Sequence, residues 1–144
     1  MRAVVTRVAS ASVTIGGTVN GRIGRGYLIL LGVGPEDTEA VCDRLAEKIC
    51  NLRVFEDENG KMNLNLEQVG GSILVVSQFT LYADTSSRRP GFSGAAKPEL
   101  AIPLYERFMD RCRARGFTVE HGRFGADMQV ESVNDGPVTI LFDL

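Results

Sequence analysis

The sequence predicts a mixed α/β fold organised as a single domain over residues 1–144, with two main helices. Three observations support this class. Short runs rich in valine and isoleucine, separated by hairpin-type glycines, fill the first third of the chain. An alternation of strands and helices then follows. Only two segments carry the amphipathic stripe of a surface helix. A chain of 144 residues can bury a core without disulfide or metal staples.

The first half begins with two predicted strands, Arg2–Val8 and Ser12–Ile15. Gly16-Gly17 and Asn20-Gly21 are expected to form hairpin turns after them. Tyr27–Val33 is apolar on both faces, which predicts a central strand covered on both sides.

A helix is expected to follow Pro35–Asp37, because apolar residues then recur at helical spacing: Cys42, Leu45, Ile49 and Leu52. A small β-unit is predicted next, from Arg53–Phe55 and a turn at Asn59-Gly60.

The second half is predicted to contain one long strand over Ser72–Leu81 and one helix over Pro98–Arg115, which Gly116 ends. Three further strands close the chain: Phe117–His121, Met128–Val133 and Val138–Phe142. The segment Asp84–Lys97 is long, polar and rich in glycine, which is typical of a functional or a disordered loop.

Composition excludes several classes of function. The 16 basic and 18 acidic residues nearly cancel, leaving a net charge of −2, so the chain is not a polybasic nucleic-acid binder. No apolar run is long enough to cross a membrane. Charged residues interrupt the short apolar runs that follow Met1, so we expect no signal peptide there. We therefore expect a cytoplasmic protein with no membrane partner.

The cysteine and histidine counts restrict the chemistry further. The three cysteines, Cys42, Cys50 and Cys112, contain no C-x-x-C pair, and buried thiols are the expected role. With His121 as the only histidine, a zinc site or a His-rich catalytic metal site is not expected. We expect no metal and no cofactor.

Three weaker patterns favour structural roles. Gly32-Val33-Gly34 resembles the start of a dinucleotide fingerprint, but Asp37 stands where the third glycine belongs and would repel a pyrophosphate. His121 could serve as the base for a serine nucleophile, but the sequence contains no G-x-S-x-G elbow of a serine hydrolase. Arginines at helical spacing in the last helix fit a solvated face, with phosphate tracking as the alternative: Arg107, Arg111 and Arg115.

Two segments carry more information. Val75–Leu81 is an apolar strand that turns polar at its carboxyl end, which fits either a strand that emerges into solvent or a ligand site of the kind found in sheets with parallel strands. On such a strand Ser77 and Phe79 would share one face, and Gln78 and Thr80 the other. Asn134–Thr139 (NDGPVT) reads as a turn between two strands, in which Pro137 removes a ladder donor and allows a cis bond.

These two segments together resemble the D-aminoacyl-tRNA deacylase family. Other matching stretches run along the whole chain, namely Arg2–Val8, Leu30–Val33, Gly60–Asn63, Arg89-Pro90, Ala95-Ala96 and Phe124–Val130. One departure is Gly91, where the family has serine in its Arg-Pro-Ser-Phe stretch, and the loop before it is shortened.

The resemblance implies a mixed β-sheet in barrel-like layers with two main helices, and a homodimer whose active site lies at the subunit interface. It implies hydrolysis of the ester in D-aminoacyl-tRNA and in glycyl-tRNA(Ala), with a cross-subunit Gly-cisPro motif rejecting L-aminoacyl-tRNA. The implied catalytic residues are Ser77, Gln78, Phe79 and Thr80; the implied substrate-binding residues are Gly136, Pro137, Ala95, Ala96, Phe124, Met128 and Arg7.

The chemistry of the substrate agrees with this reading, because an aminoacyl ester is already activated and needs neither histidine nor metal. Backbone N–H groups near Phe79 and Thr80 are candidates for stabilising the oxyanion, and no nearby base is visible to activate Thr80 as a nucleophile. Two rivals remain: a non-catalytic protein that binds the acceptor end of tRNA, and a generic thioesterase-like or peptide hydrolase. Candidate tRNA contacts are Lys97, Arg88, Arg89 and the arginines of the last helix.

Overall fold

The computed structural model describes all residues, 1–144. Eight strands and two helices alternate along it: β1 (Arg2–Ile15), β2 (Thr18–Ile23), β3 (Gly26–Gly32), α1 (Glu39–Cys50), β4 (Phe55–Glu56), β5 (Met62–Leu64), β6 (Ser72–Ser77), α2 (Pro98–Ala114), β7 (Val119–His121) and β8 (Gln129–Asp143). A short 3₁₀ helix, Phe79–Tyr82, follows β6. Neither α1 nor α2 combines the length and the apolar character that crossing a membrane requires.

The main sheet is mixed and nearly closes into a barrel. Its strand order is β2-β1-β3-β6-β7, and β8 pairs with the other edge of β1. The pairings of β6 with β3 and β7 are parallel, and those of β1 are antiparallel. The two ends of this order approach each other, because the Asn20 side-chain amide of β2 donates to the carbonyl oxygen of His121 in β7 at 2.7 Å.

The two faces of the curved sheet bury separate cores. Inside the curve lie small and branched residues, among them Val8, Val13 and Leu74. The larger core packs the outer face against α1 and α2, and its most buried members include Tyr27 and Phe108. This arrangement agrees with the predicted mixed α/β class with two main helices.

Several predicted elements are confirmed. Strand β3 is buried along almost its whole length and lies between β1 and β6, as a strand apolar on both faces should. The stripe on α1 is buried at Cys42, Leu45 and Ile49. The three cysteines are buried free thiols.

Two predicted turns are wrong. Asn20-Gly21 lies within β2, where Val13 pairs with Gly21 and Thr14 with Val19, so Asn20 is an extra, bulged residue. The expected turn at Asn134–Pro137 is also absent, because the predicted strands Met128–Val133 and Val138–Phe142 form one continuous strand, β8.

The interruption in β8 is a large bulge. Thr6 pairs with Thr139 and Val8 with Asn134, so Arg7 alone faces the segment Asp135–Val138. Pro137 is tolerated here because a bulged position needs no ladder donor. The Gly136-Pro137 peptide bond is cis.

Candidate active site

A cavity of about 290 Å³ lies at the carboxyl end of β6. One side is formed by the end of that strand, including Ser77, Gln78 and Phe79, and the other by the segment that precedes β8, including Phe124 and Met128. Because β3, β6 and β7 run parallel, their carboxyl ends meet at one edge of the sheet, where ligands commonly bind. The structure thus brings two separately predicted groups of site residues together.

The strand predicted over Ser72–Leu81 ends at Ser77, which corrects the expected alternation of side chains beyond it. The Gln78 N–H still donates to the Leu31 carbonyl oxygen at 2.8 Å, and the chain then turns into the 3₁₀ helix. The Gln78 side-chain amide donates to the Thr80 hydroxyl within this turn, whereas the predicted strand had both residues on one regular strand face.

The 3₁₀ helix exposes groups suited to binding an oxyanion. Phe79 and Thr80 open this helix, and the first N–H groups of a helix have no acceptor within it. Leu81 N–H is the first to bond inside the turn, donating to the Gln78 carbonyl oxygen at 3.2 Å. Phe79 is 51% exposed and lines the cavity, whereas Thr80 is not among the lining residues.

The position of the 3₁₀ helix is fixed from beneath by Gly34. A Cβ on Gly34 would lie 2.9 Å from the ring of Tyr82, so the close approach of this ring requires glycine. The Gly32-Val33-Gly34 motif therefore serves packing of the active-site segment. Burial, with a contribution from Asp37, raises the pKa of Tyr82 to about 12, so its hydroxyl stays protonated at neutral pH.

Arg2 holds the same helix from the side. Its guanidinium donates to the Leu81 carbonyl oxygen at 2.8 Å and stacks on the Tyr82 ring, with 4.4 Å from the guanidinium carbon to the ring centroid. Sequence reasoning missed this role, because Arg2 and Leu81 lie 79 residues apart.

The predicted loop Asp84–Lys97 covers one side of the site. Asp84 and Gly91 exchange backbone hydrogen bonds of 2.8 and 2.9 Å, which close the loop on itself. The Phe92 ring then meets the Phe79 ring edge-on, with centroids 5.2 Å apart. Ala95 and Ala96, near the end of this loop, are half-buried and do not line the cavity.

Gly136 and Pro137 are exposed and are not among the residues that line the cavity of their own chain. Arg7 lies behind them and is 5% exposed. Its Nε donates to the Asp135 carbonyl oxygen at 2.9 Å, and its Nη1 donates to the Val54 carbonyl oxygen at 2.5 Å. Arg7 is thus a buried support of the bulge.

The last-helix arginines bind other side chains of the same protein. Arg107 forms a two-pronged pair with the Asp43 carboxylate at 2.7 and 2.9 Å, joining α2 to α1. This hydrogen-bonded pair lowers the pKa of Asp43. Arg111 also approaches Asp43, at 3.6 Å, and Arg115 donates to the Asn51 side chain at 2.8 Å. The predicted solvated face is confirmed for Arg111 and Arg115, which are exposed, and these pairs add a network between the two helices on that face.

The structure also shows where the potential metal ligands and the single histidine lie. The structure places no three His, Cys, Asp or Glu side chains together where they could hold a metal ion. His121 has its Nδ1 2.5 Å from the carbonyl oxygen of the adjacent Gly122. The cavity includes further residues that sequence reasoning did not assign to the site, although the segment Phe124–Val130 had been singled out as a motif: Val76, Gly125, Ala126, Asp127 and Val130.

Comparisons with known proteins show the family of this chain. The profile of the family described as "D-Tyr-tRNA(Tyr) deacylase" matches residues 4–143. The D-aminoacyl-tRNA deacylase of Symbiobacterium thermophilum is 62% identical over 99% of this chain and 95% of its own length.

Two solved structures share the fold. One, described as "c-Myc DNA Unwinding Element Binding Protein", is 43% identical with a TM-score of 0.93, covering 100% of this chain and 99% of the other. A second, described as a "probable eukaryotic D-amino acid tRNA deacylase", is 18% identical with a TM-score of 0.85, covering 99% of this chain and 98% of the other, and shows the fold alone.

The fold, the cavity and these relatives define the class of protein, a hydrolase that acts on an ester of tRNA. The chain belongs to the D-aminoacyl-tRNA deacylase family, and its activity is the deacylation of D-aminoacyl-tRNA.

Removing the Thr80 hydroxyl tests whether the side chain or the backbone acts. We expect Thr80→Ala and Thr80→Val to lower kcat for D-Tyr-tRNA less than about tenfold, because the amide of residue 80 is retained. Single-turnover deacylation measures this. A loss of three orders of magnitude or more, with folding and substrate binding intact, would revive Thr80 as a covalent nucleophile.

Adding a side chain at Gly34 tests whether activity depends on the position of the 3₁₀ helix. Gly34→Ala pushes against the Tyr82 ring, and we expect kcat to fall about tenfold or more, equivalent to ~1.4 kcal/mol. Gly24→Ala is the matched control, since nothing lies within 4 Å of its new Cβ. Equal kcat values for the two variants would contradict this role of Gly34.

Proposed function

We propose that this protein is a homodimer that proofreads the chirality of aminoacyl-tRNA. It hydrolyses the ester of D-aminoacyl-tRNA and of glycyl-tRNA(Ala), and it rejects L-aminoacyl-tRNA through the Gly136-Pro137 bulge of the partner subunit. The products are the free amino acid and tRNA. The place of action is the cytoplasm, where aminoacyl-tRNA is consumed in translation.

One observation carries the proposal: the Gly136-Pro137 bulge is exposed, but it does not line the cavity of its own chain. A motif supported from behind by a buried arginine is built to present its backbone outward. A second copy of the chain supplies the cavity that receives it, so that each complete site contains elements of both subunits.

The surface around the bulge is suited to such a contact. Strand β8 pairs only with β1, which leaves its other edge free. Exposed apolar side chains lie along this strand: Val130, Val133 and Leu141, the last 76% exposed. A long edge strand with exposed apolar residues is a surface that a folded protein normally covers.

The chemistry of ester cleavage needs little from the side chains. Water attacks the carbonyl carbon of the aminoacyl ester, a tetrahedral oxyanion forms, and the bond to the ribose oxygen of the terminal adenosine breaks. The Phe79 and Thr80 amides stabilise the oxyanion, a type of interaction worth about 2.7–4 kcal/mol per donor. A neighbouring ribose hydroxyl of the tRNA assists proton transfer, so the reaction needs no histidine as a general base.

Selectivity follows from the space beside the α-carbon. In this proposal the carbonyl oxygens of Gly136 and Pro137 from the partner accept hydrogen bonds from the substrate's α-ammonium group. That anchoring leaves room for a D side chain and none for an L side chain. Glycine lacks the clashing group, so a pocket of this kind cannot exclude it.

Exposed basic residues of the Asp84–Lys97 loop are the candidates for contact with the tRNA backbone: Arg88, Arg89 and Lys97. The α2 arginines are less available, because Asp43 and Asn51 hold them. With a net charge of −2, we expect weak, salt-sensitive contact that is directed mostly to the end of the tRNA.

Deacylation assays with three substrates test the selectivity. We expect D-Tyr-tRNA and Gly-tRNA(Ala) to be hydrolysed and L-Tyr-tRNA to be spared by a factor of at least about 10³, equivalent to ~4 kcal/mol. Comparable turnover of the L and D esters contradicts the exclusion mechanism. Protection of all three esters would instead support a protein that only binds the acceptor end.

Mixing two inactive variants tests the shared site. Gly136→Ala places a Cβ 3.1 Å from Nη2 of Arg7 and 3.0 Å from the Val138 nitrogen, at a φ of +136° that suits only glycine, so we expect it to be inactive. Phe79→Ala damages the cavity instead. Heterodimers of the two variants contain one intact site, and random mixing should restore roughly a quarter of the wild-type sites.

Activity of the mixture is measured after subunit exchange, with each variant alone as the control and the oligomeric state checked by light scattering. If the mixed dimers remain inactive although both variants fold and associate, the site is not shared between subunits. A monomeric wild-type protein with full activity leads to the same conclusion.

A further inference from the structure

A second, larger cavity adjoins the candidate active site. It has a volume of about 480 Å³ and lies between α2 and the segment that follows β7. Phe124 lines both cavities, so they meet at its ring. That ring is held by an edge-to-face contact with Tyr105, whose centroid is 6.3 Å away, and the Tyr105 hydroxyl donates to the Val75 carbonyl oxygen at 3.1 Å.

The lining of this second cavity combines cations, carboxylates and an aromatic ring. Arg113 is fixed in it, because its guanidinium donates to the Val119 carbonyl oxygen and pairs with Asp110 at 3.3 Å. Arg123 and Glu106 are exposed at its rim. The volume lies within the range of small-ligand sites, and it is large enough for one nucleotide.

We infer that the second cavity binds the nucleotide that precedes the terminal adenosine of the tRNA, the penultimate cytidine. The inference rests on the proposed function, and it takes the terminal adenosine of the substrate to occupy the first cavity, which Phe124 and Met128 line. Every mature tRNA ends in the single-stranded sequence CCA, so the next base is always cytosine. The neighbouring cavity across Phe124 is where the chain of nucleotides continues.

The groups present match a cytidine nucleotide. Proteins read single-stranded RNA by stacking bases on aromatic rings and by hydrogen bonds to base edges, and the Phe124 ring is available for stacking. A carboxylate accepts hydrogen bonds from the cytosine N4 amino group, a role that Glu106 fills. Arg123 pairs with the phosphate between the two nucleotides, and Arg113, already held by Asp110, adds positive charge.

Two substrates separate this cavity from the catalytic one. D-Tyr-tRNA carries the penultimate cytidine, whereas D-tyrosyl-adenosine, the ester of the nucleoside alone, lacks it. We expect Arg123→Gln to raise KM for D-Tyr-tRNA about tenfold and to leave KM for D-tyrosyl-adenosine unchanged. Arg44→Gln, an exposed arginine on α1 outside this cavity, is the matched control and should change neither value.

A tRNA with uridine in the penultimate position tests the contact to the base. Uracil offers an acceptor where cytosine offers the N4 donor, so the wild type should discriminate against it at least fivefold in kcat/KM. Glu106→Gln introduces a donor and should remove most of that discrimination, while hydrolysis of D-tyrosyl-adenosine stays at the wild-type rate.

Three results overturn the inference. Arg123→Gln leaves KM for D-Tyr-tRNA at the wild-type value, or it raises KM for both substrates equally, or the wild type accepts uridine as readily as cytidine. Any of these leaves the proposed function standing if the wild type still hydrolyses D-tyrosyl-adenosine. If the wild type hydrolyses neither D-Tyr-tRNA nor D-tyrosyl-adenosine, the proposed function and this inference are both wrong.

Discussion

Strand β1 is bonded along both edges, and this double pairing positions every functional part of the molecule. Its first half pairs with β3 and its second half with β2, while β8 follows the opposite edge. Through β3 it sets the place of β6 and hence of the cavity. Through β8 it sets the place of the bulge. Arg7 lies on β1 opposite that bulge, so one strand holds both the candidate catalytic segment and the Gly136-Pro137 motif in register.

The local sequence pattern predicts an element correctly where that element is buried to the same extent along its length. Tyr27–Val33 reads as a central strand because both faces are apolar, and the structure confirms it. The local sequence pattern fails where a residue far away in the sequence determines the local backbone conformation. The strand predicted to reach Leu81 ends at Ser77, because the chain turns to place Tyr82 beside Gly34. The expected turn at Asn134–Pro137 is a bulge, because Arg7 faces it from a strand more than 120 residues earlier.

The same distinction applies to the candidate site. Ser77–Phe79 and Phe124–Met128 each stood out as a motif, yet only the parallel order of β3, β6 and β7 places them around one cavity. The charge pattern of α2 suggested either solvent or phosphate as the partner of its arginines. The actual partner of Arg107 is Asp43, on a helix whose packing against α2 the sequence does not reveal.

The pairing of β1 with β8 joins Arg2 to Asp143, close to the greatest sequence separation the chain allows. Contacts of such long range slow folding, because almost the whole chain must be ordered before they form. During synthesis β1 has one edge without its partner until β8 has left the ribosome. The cavity and the bulge are therefore held in register only once β8 has been made, and in the interval a chaperone or a neighbouring nascent chain has access to a fourteen-residue strand edge.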